Sequence, residues 1–344
     1  MPANPPKLRV LVSATYNPWF NIATEDWIFR EMDPSYQTLY LWQNEKTVVI
    51  GRSQNPWSEC NLKKMEDDGV YLARRASGGG AVFHDLGNIC FTFLSPKQGY
   101  DRAANGAIMI AALKRFGITA ELSGRNDIVV PSETEGPRKV SGSAFREAHD
   151  RAFHHGTMLI SSDLTKLSNY LTPNPKKLES KGRASVRSRV MNLVELAPEL
   201  TKDLLYQAII EEFFKFHGGT CEIETLDHSK LTLMPQLQER FAFYGDWNWR
   251  FGKTPEFHQT MTEYLSWGLV EVHLDSEKGH ITRAQVFSDS LFPDLIDAIQ
   301  KALHAKPYTR AGVHEALQEV RSAHQEHTAA LNELEVWLKK EVEA

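Results

Sequence analysis

The residues best suited to chemistry lie in the stretch Arg74-Arg75-Ala76-Ser77-Gly78-Gly79-Gly80-Ala81-Val82-Phe83-His84-Asp85. Three successive glycines add nothing to a hydrophobic core, but glycine permits positive φ and lets the backbone approach a ligand closely. Amides converging in such a turn, next to permanently charged guanidinium groups, can cradle a phosphate or a carboxylate. The plain alternative is a hairpin turn between two strands, one around Leu72 and Ala73 and one around Val82 and Phe83. Neither the Walker pattern nor the dinucleotide Gly-x-Gly-x-x-Gly pattern is present.

Three further polar groups are set apart in the chain. Asp127 stands directly before the apolar strand Ile128-Val129-Val130, where it can face a site or cap a turn. Lys139 precedes the small-residue run Val140-Ser141-Gly142-Ser143-Ala144, although a lone lysine is ordinarily solvated surface. Lys181, Arg183, Arg187 and Arg189 make a basic segment of small residues, which is either a solvated loop or a holder for an anion. His154 and His155 lie side by side in a strand and point to opposite faces, so they cannot share a metal. With no His-x-x-x-His array nearby, a zinc site is excluded.

These groups need a scaffold. The chain has 344 residues, 42% hydrophobic and 24% charged, which suits a large core and suggests one large and one small domain. Net charge is −5, so general nucleic-acid affinity is not expected, and no apolar run is long enough to span a bilayer. The N-terminus lacks the basic start and apolar core of a signal peptide. Cys60, Cys90 and Cys221 are widely spaced, as in a reducing compartment, and Cys90 reads as a core residue because it alternates with Phe91 and Phe93. A cytoplasmic location is therefore expected.

Periodicity predicts strands at Leu8–Ser13, Thr38–Trp42, Thr47–Ile50 and Ile89–Leu94. Helices are predicted from Asn21, as N-cap, to Met32, from Tyr100 to Phe116 and from Thr201 to Phe216. Beyond an aromatic segment ending near Pro255, a hairpin around Val270–Phe287 and helices at Pro293–Leu303, Thr309–Ser322 and Thr328–Glu343 suggest a small α+β domain. The apolar stripe of its last helix is read as Leu331, Leu334, Val336 and Leu338.

Taken together, Pro18-Trp19-Phe20-Asn21, the glycine stretch Arg74 to Asp85, Ser123-Gly124-Arg125-Asn126-Asp127, Lys139 to Ala144 and Ser185-Val186-Arg187-Ser188-Arg189 resemble the bacterial lipoate–protein ligase A family. The resemblance runs from near Lys7 to the C-terminus. It implies an α+β fold: a mixed-sheet biotin/lipoate ligase catalytic domain, class II synthetase-like, over residues 1–252, with a small α+β accessory domain over 256–344. It also implies a two-step reaction. Lipoate and ATP give lipoyl-AMP, and the lipoyl group then passes to a lysine of the lipoyl domains of 2-oxoacid dehydrogenase acyltransferase subunits or of the glycine-cleavage H protein.

Carried onto this chain, the resemblance makes Lys139 the catalytic residue. ATP or the adenylate would meet Arg75, Gly80, Ala81, Val82, Phe83, Asp127, Lys139, Ser185 and Arg187. Lipoate would meet Asn21, Trp42, Val49, Arg75, Ser77, Gly78, Gly79, His84, Lys139, Gly142 and His154. Mg2+ would be held by Asp127, and the segment Lys181 to Arg189 would order over the adenylate. Two other readings stand beside this one: a lipoyl- or octanoyl-transferase of the same fold using a preformed acyl donor, and a non-catalytic module that binds acyl-adenylates or lipoyl domains.

Overall fold

The computed structural model describes residues 6–124, 126–132, 134, 136–172, 190–251, 259–277 and 279–342. Its strands in the first part of the chain are β1 (Lys7–Ser13), β2 (Tyr36–Trp42), β3 (Thr47–Ile50), β4 (Tyr71–Arg74), β5 (Val82–His84), β6 (Asn88–Pro96), β7 (Glu121–Ser123), β8 (Asp127–Val130), β9 (Arg138–Glu147), β10 (Arg151–Leu159) and β11 (Ile223–Leu226). Eight of these form one mixed sheet in the order β11-β1-β2-β6-β10-β9-β8-β7. β1 runs parallel to both β2 and β11, and the β6, β10 and β9 ladders are antiparallel.

Alternating side chains divide this sheet between two cores. Leu39, Leu41, Phe91 and Phe93 face the helices Arg102–Lys114 and Lys202–His217, joining Met109, Ile209 and Phe213. Tyr40, Trp42, Cys90 and Phe153 face the opposite side and pack with Phe20, Ile28 and Tyr244 of the helices Pro18–Glu31 and Pro235–Gly245. The first of those helices starts earlier than its apolar spacing suggests. Asn17, not Asn21, is the N-cap, accepting from the Trp19 and Phe20 amides at 3.0 Å each, a cap typically worth about 1 kcal/mol. Every residue from Phe20 to Phe29 is buried, so the helix has no polar face for periodicity to detect.

The glycine stretch is not a hairpin. β4 and β5 do not pair with each other; β3 lies between them, parallel to β4 and antiparallel to β5. The loop from Arg75 to Ala81 therefore crosses over the end of β3. Its backbone lies so close to Gly51 that a Cβ there would sit 2.1 Å from the Gly79 carbonyl oxygen.

Residues 259–342 form a separate core. β12 (Gln259–Leu265), β13 (Gly268–Glu277) and β14 (His280–Ser288) make an antiparallel sheet. Val270, Val272 and Val286 meet Ile296, Leu317 and Leu334 from the helices Pro293–Leu303, Arg310–Ala323 and Thr328–Glu341. The hairpin expected here gains a third strand, β12. In the last helix Trp337 is buried, whereas Val336 is 59% exposed and does not belong to the apolar stripe.

This unit rests on the glycine loop. The Gly79 amide donates to the Ser290 carbonyl at 2.8 Å, and the Ser288 amide to the Ser53 carbonyl at 2.6 Å. Arg52 pairs with Asp294 at 2.7 Å and also with Asp297. Among the described residues no helix is long and apolar enough to cross a membrane.

Candidate active site

A cavity of roughly 330 Å³ opens between the glycine loop and the faces of β6, β9 and β10, at the small end of the range of ligand sites. Trp42, Val49, Arg75, Gly79, Gly80, Ala81, Val82, Phe83, His84, Lys139 and Gly142 all line it. One cavity thus gathers eleven of the residues singled out from the sequence.

Lys139 and Asp127 come together through a register shift in the β8–β9 pairing, where Asp127 opposes Gly142 but Val129 opposes Lys139. Such a bulge re-aims the side chains around it. Lys139 Nζ lies 2.7 Å from Asp127 Oδ1, both groups about one-third exposed. Asn126 pins the two strands together, its side-chain amide donating to the Ser143 carbonyl at 2.8 Å.

The glycine loop is braced by its arginines. Arg75 Nη2 donates to the Gly78 and Gly80 carbonyls at 2.8 Å each, Nε to Gly78 at 3.1 Å and Nη1 to Val49 at 3.2 Å. Burial lowers its guanidinium to about 10, which leaves it charged at neutral pH. Arg74 is similarly committed to the carbonyls of Gly51, Arg52, Gln54, Trp249 and Arg250. In this arrangement Arg75 shapes the loop and places a positive charge beneath it.

His84 is buried, and burial together with Arg75 and His155 pushes its imidazole down to about 3. The neutral ring accepts from Asn44 Nδ2 at its Nδ1, 3.2 Å away, so the proton sits on Nε2. Among the described residues Nε2 has no hydrogen-bond partner, which leaves a donor available at the cavity wall.

Several sequence assignments change. His154 does not reach the cavity: it points to the other face of the sheet, with its ring 5.9 Å from that of Phe91. Its neighbour His155 lines the cavity instead, because adjacent strand residues alternate. Asn21 is fully buried outside the cavity lining, its amide donating to the Thr15 and Gln43 carbonyls and its oxygen accepting from Ser13 and Tyr40. Gly78 faces the C-terminal unit, since a Cβ there would lie 2.3 Å from the Ser290 carbonyl oxygen. Ser77 is buried behind the lining and bonds to His155. Ser185 and Arg187, with the whole segment Lys181 to Arg189, lie outside the described residues.

Glu25 and Cys90 also line the cavity and were not read as site residues. Glu25 carried a weak signal: it lies in a predicted helix between the apolar pairs Ile22-Ala23 and Trp27-Ile28, and a carboxylate buried there must be paired. Burial raises the Cys90 thiol well above its usual value, which favours the protonated, weakly nucleophilic form at neutral pH. As for a metal, the described residues hold no cluster of three or more His, Cys, Asp or Glu. A lone Asp127 still fits Mg2+, which keeps several waters and binds through one or two carboxylates plus substrate phosphates.

A mixed sheet with a glycine loop, a buried cationic brace and a cavity-lining lysine paired with an aspartate suits an acyl-group ligase or transferase. The comparisons make this specific. Residues 17–214 match the lipoyl protein ligase A/B catalytic domain, and residues 254–338 match the bacterial lipoate protein ligase C-terminus. Lipoate-protein ligase A of Bdellovibrio bacteriovorus is 51% identical over 98% of this chain and 99% of its own. The Psychrobacter cryohalolentis protein of the same name is 49% identical over the same shares. The crystal structure of P. falciparum LipL1 in complex with lipoate superposes with a TM-score of 0.84 at 32% identity, covering 97% of this chain and 99% of that one. A lipoate-protein ligase A structure bound with ATP shares the fold at 24% identity and a TM-score of 0.58, covering 72% of this chain and 99% of its own. The chain belongs to the lipoate–protein ligase A family.

Proposed function

We propose that this chain is an ATP-dependent lipoate–protein ligase that forms lipoyl-AMP and transfers the lipoyl group to a protein lysine. The observation that carries the reading is the Lys139–Asp127 pair at 2.7 Å, set at a cavity whose other wall is the glycine loop. Attack of a carboxylate on the α-phosphate brings two anions together, so repulsion must be screened and the reactants aligned. Lys139 Nζ is placed to meet charge on the carboxylate and phosphate oxygens in the first step. In the second it meets the oxyanion formed as an acceptor lysine attacks the anhydride. Asp127 orients that ammonium.

The loop amides from Gly80 to Phe83, with the buried charge of Arg75 behind them, would face the phosphate. Trp42, Val49 and Val82 would take the aliphatic tail, and His84 Nε2–H would donate to the bound acid. Mg2+ would be held by Asp127 and the ATP phosphates, and its chemistry is to neutralise the pyrophosphate. Acceptors of the family's kind are lipoyl domains of 2-oxoacid dehydrogenase acyltransferase subunits and the glycine-cleavage H protein, and a cytoplasmic location suits them.

The test is pyrophosphate release on mixing the protein with lipoate, ATP and Mg2+, followed by mass analysis of an added lipoyl domain. Modification from supplied lipoyl-AMP with no pyrophosphate release would favour the transferase reading. Neither product, with lipoyl-AMP still bound, would favour the binding module.

A further inference from the structure

A chain of buried hydrogen bonds runs from the cavity floor to the glycine loop. Trp42 Nε1 donates to the Thr92 hydroxyl at 3.1 Å, and that hydroxyl donates to Glu25 Oε1 at 2.6 Å. Both Glu25 oxygens face His155 Nδ1, at 2.8 and 2.9 Å, and His155 Nε2 lies 2.8 Å from Ser77 Oγ. Glu25 is 2% exposed, His155 7% and Ser77 0%.

An ionised carboxylate only accepts, so the proton on this edge of the ring must be on Nδ1. Glu25 thereby decides what Nε2 offers to Ser77, as a carboxylate behind an imidazole sets its tautomer. The order acid, imidazole, hydroxyl is that of a nucleophilic triad, but Ser77 has no exposed surface and does not line the cavity. The hydroxyl is an anchor. It lies one residue before Gly78, in the loop whose Gly79, Gly80 and Ala81 form the cavity wall.

We propose that Glu25, acting through His155, fixes the hydrogen bond at Ser77 and so holds the glycine loop at its working height above the acyl cavity. Glu25, His155 and Ser77 are positioning residues in the adenylation site, a role that rests on the ligase reading above. His155 bridges Glu25 and Ser77 by hydrogen bonds to both, so their effects on catalysis should be coupled through it.

The test is a double-mutant cycle on lipoate- and ATP-dependent pyrophosphate release, with Glu25→Gln, Ser77→Ala and the double variant. Glu25→Gln keeps the shape of the side chain but lets an amide donate to Nδ1. Each single variant should lower kcat/KM about 10–100-fold, the usual scale for a lost outer-layer orienting group. The double variant should be no worse than the weaker single one within about twofold. Multiplied losses would overturn the proposal, as would an acyl group found covalently on Ser77. Nitrogen-15 NMR of the histidine rings gives a readout independent of activity. His155 should carry its proton on Nδ1 in the parent and lose that preference in Glu25→Gln. If the parent released no pyrophosphate, the ligase reading would fail, and the His155 signal would still decide whether Glu25 sets the tautomer. An unchanged tautomer in Glu25→Gln would overturn the network.

Discussion

The side chain of Lys139 lies directly over Gly142. A Cβ at position 142 would sit 2.7 Å from Nζ and 2.8 Å from Cε of the lysine, and 3.7 Å from Asp127 Oδ1. The colliding atoms end a flexible side chain, so the ammonium would swing away at little cost to the fold. Gly142→Ala should therefore melt close to the parent but lose about 100-fold in adenylation, the scale expected when a reacting group is misplaced by about 1 Å. Parental kinetics in this variant would mean that the Lys139 position seen here is not the working one.

Removing the ammonium should hurt both half-reactions. Lys139→Ala is expected to lose about 2.7–4 kcal/mol of transition-state stabilisation, the usual cost of one well-placed donor. Single-turnover assays with lipoate plus ATP, and separately with supplied lipoyl-AMP and acceptor domain, measure the two steps. Transfer at the parental rate would confine Lys139 to activation.

Gly78 is a different case, because its neighbours are backbone. A Cβ would meet the Ser290 carbonyl oxygen at 2.3 Å and Leu291 Cα at 2.9 Å, and backbone atoms cannot rotate out of the way. Gly78→Ala should loosen the seat of the C-terminal unit at a cost of about 1–3 kcal/mol. Faster tryptic cleavage between the two units and a lower melting temperature are the expected signs. No change in either would show that the contact with Ser290 is readily given up.

Acid should weaken the fold before ordinary carboxylates titrate. Burial pushes His84 and His154 down to about 3, below the value of about 6.5 in an unfolded chain. The unfolded state therefore binds these protons first. Stability is full above pH 6.5 and declines as pH falls toward 3, by about 2 kcal/mol per group at pH 5. His154 sits beside Phe91 and Phe93, so His154→Leu should flatten part of the decline. Urea melts of parent and variant at pH 7 and pH 5 compare the slopes, and equal slopes would remove His154 from the account.

Ala305 holds φ of 64° in the turn after the helix Pro293–Leu303, a left-handed conformation that a β-carbon disfavours. Ala305→Gly should stabilise the protein by about 0.5–1 kcal/mol, the relief of strain being partly offset by the entropy of an unfolded glycine. A lower denaturation midpoint for the variant would contradict this.

What the amino-acid sequence determined by itself is the chemistry near each motif. Three glycines beside two arginines, a lysine before small residues and an aspartate before an apolar strand are local patterns, and short-range physics is enough to read them. β2, β3 and β6 were legible as short apolar runs although both faces are buried, and the helices Arg102–Lys114 and Lys202–His217 because one face stays wet. The helix Pro18–Glu31 blurred its own start because it is buried on nearly every side, and the four-residue β11 and the longer β12 are recognisable only by what they pair with.

The tertiary structure decided the rest. That β3 separates the strands flanking the glycines is a matter of long-range pairing, and it turned a candidate hairpin tip into a crossover loop. Which of His154 and His155 meets the cavity depends on strand register, since a shift of one residue exchanges the two faces of a sheet. Glu25 and Ser77 are 52 positions apart and communicate through a histidine 130 positions from the first. No pattern within either segment could announce that connection, because a buried carboxylate finds its partner only when separate strands and a helix close over it.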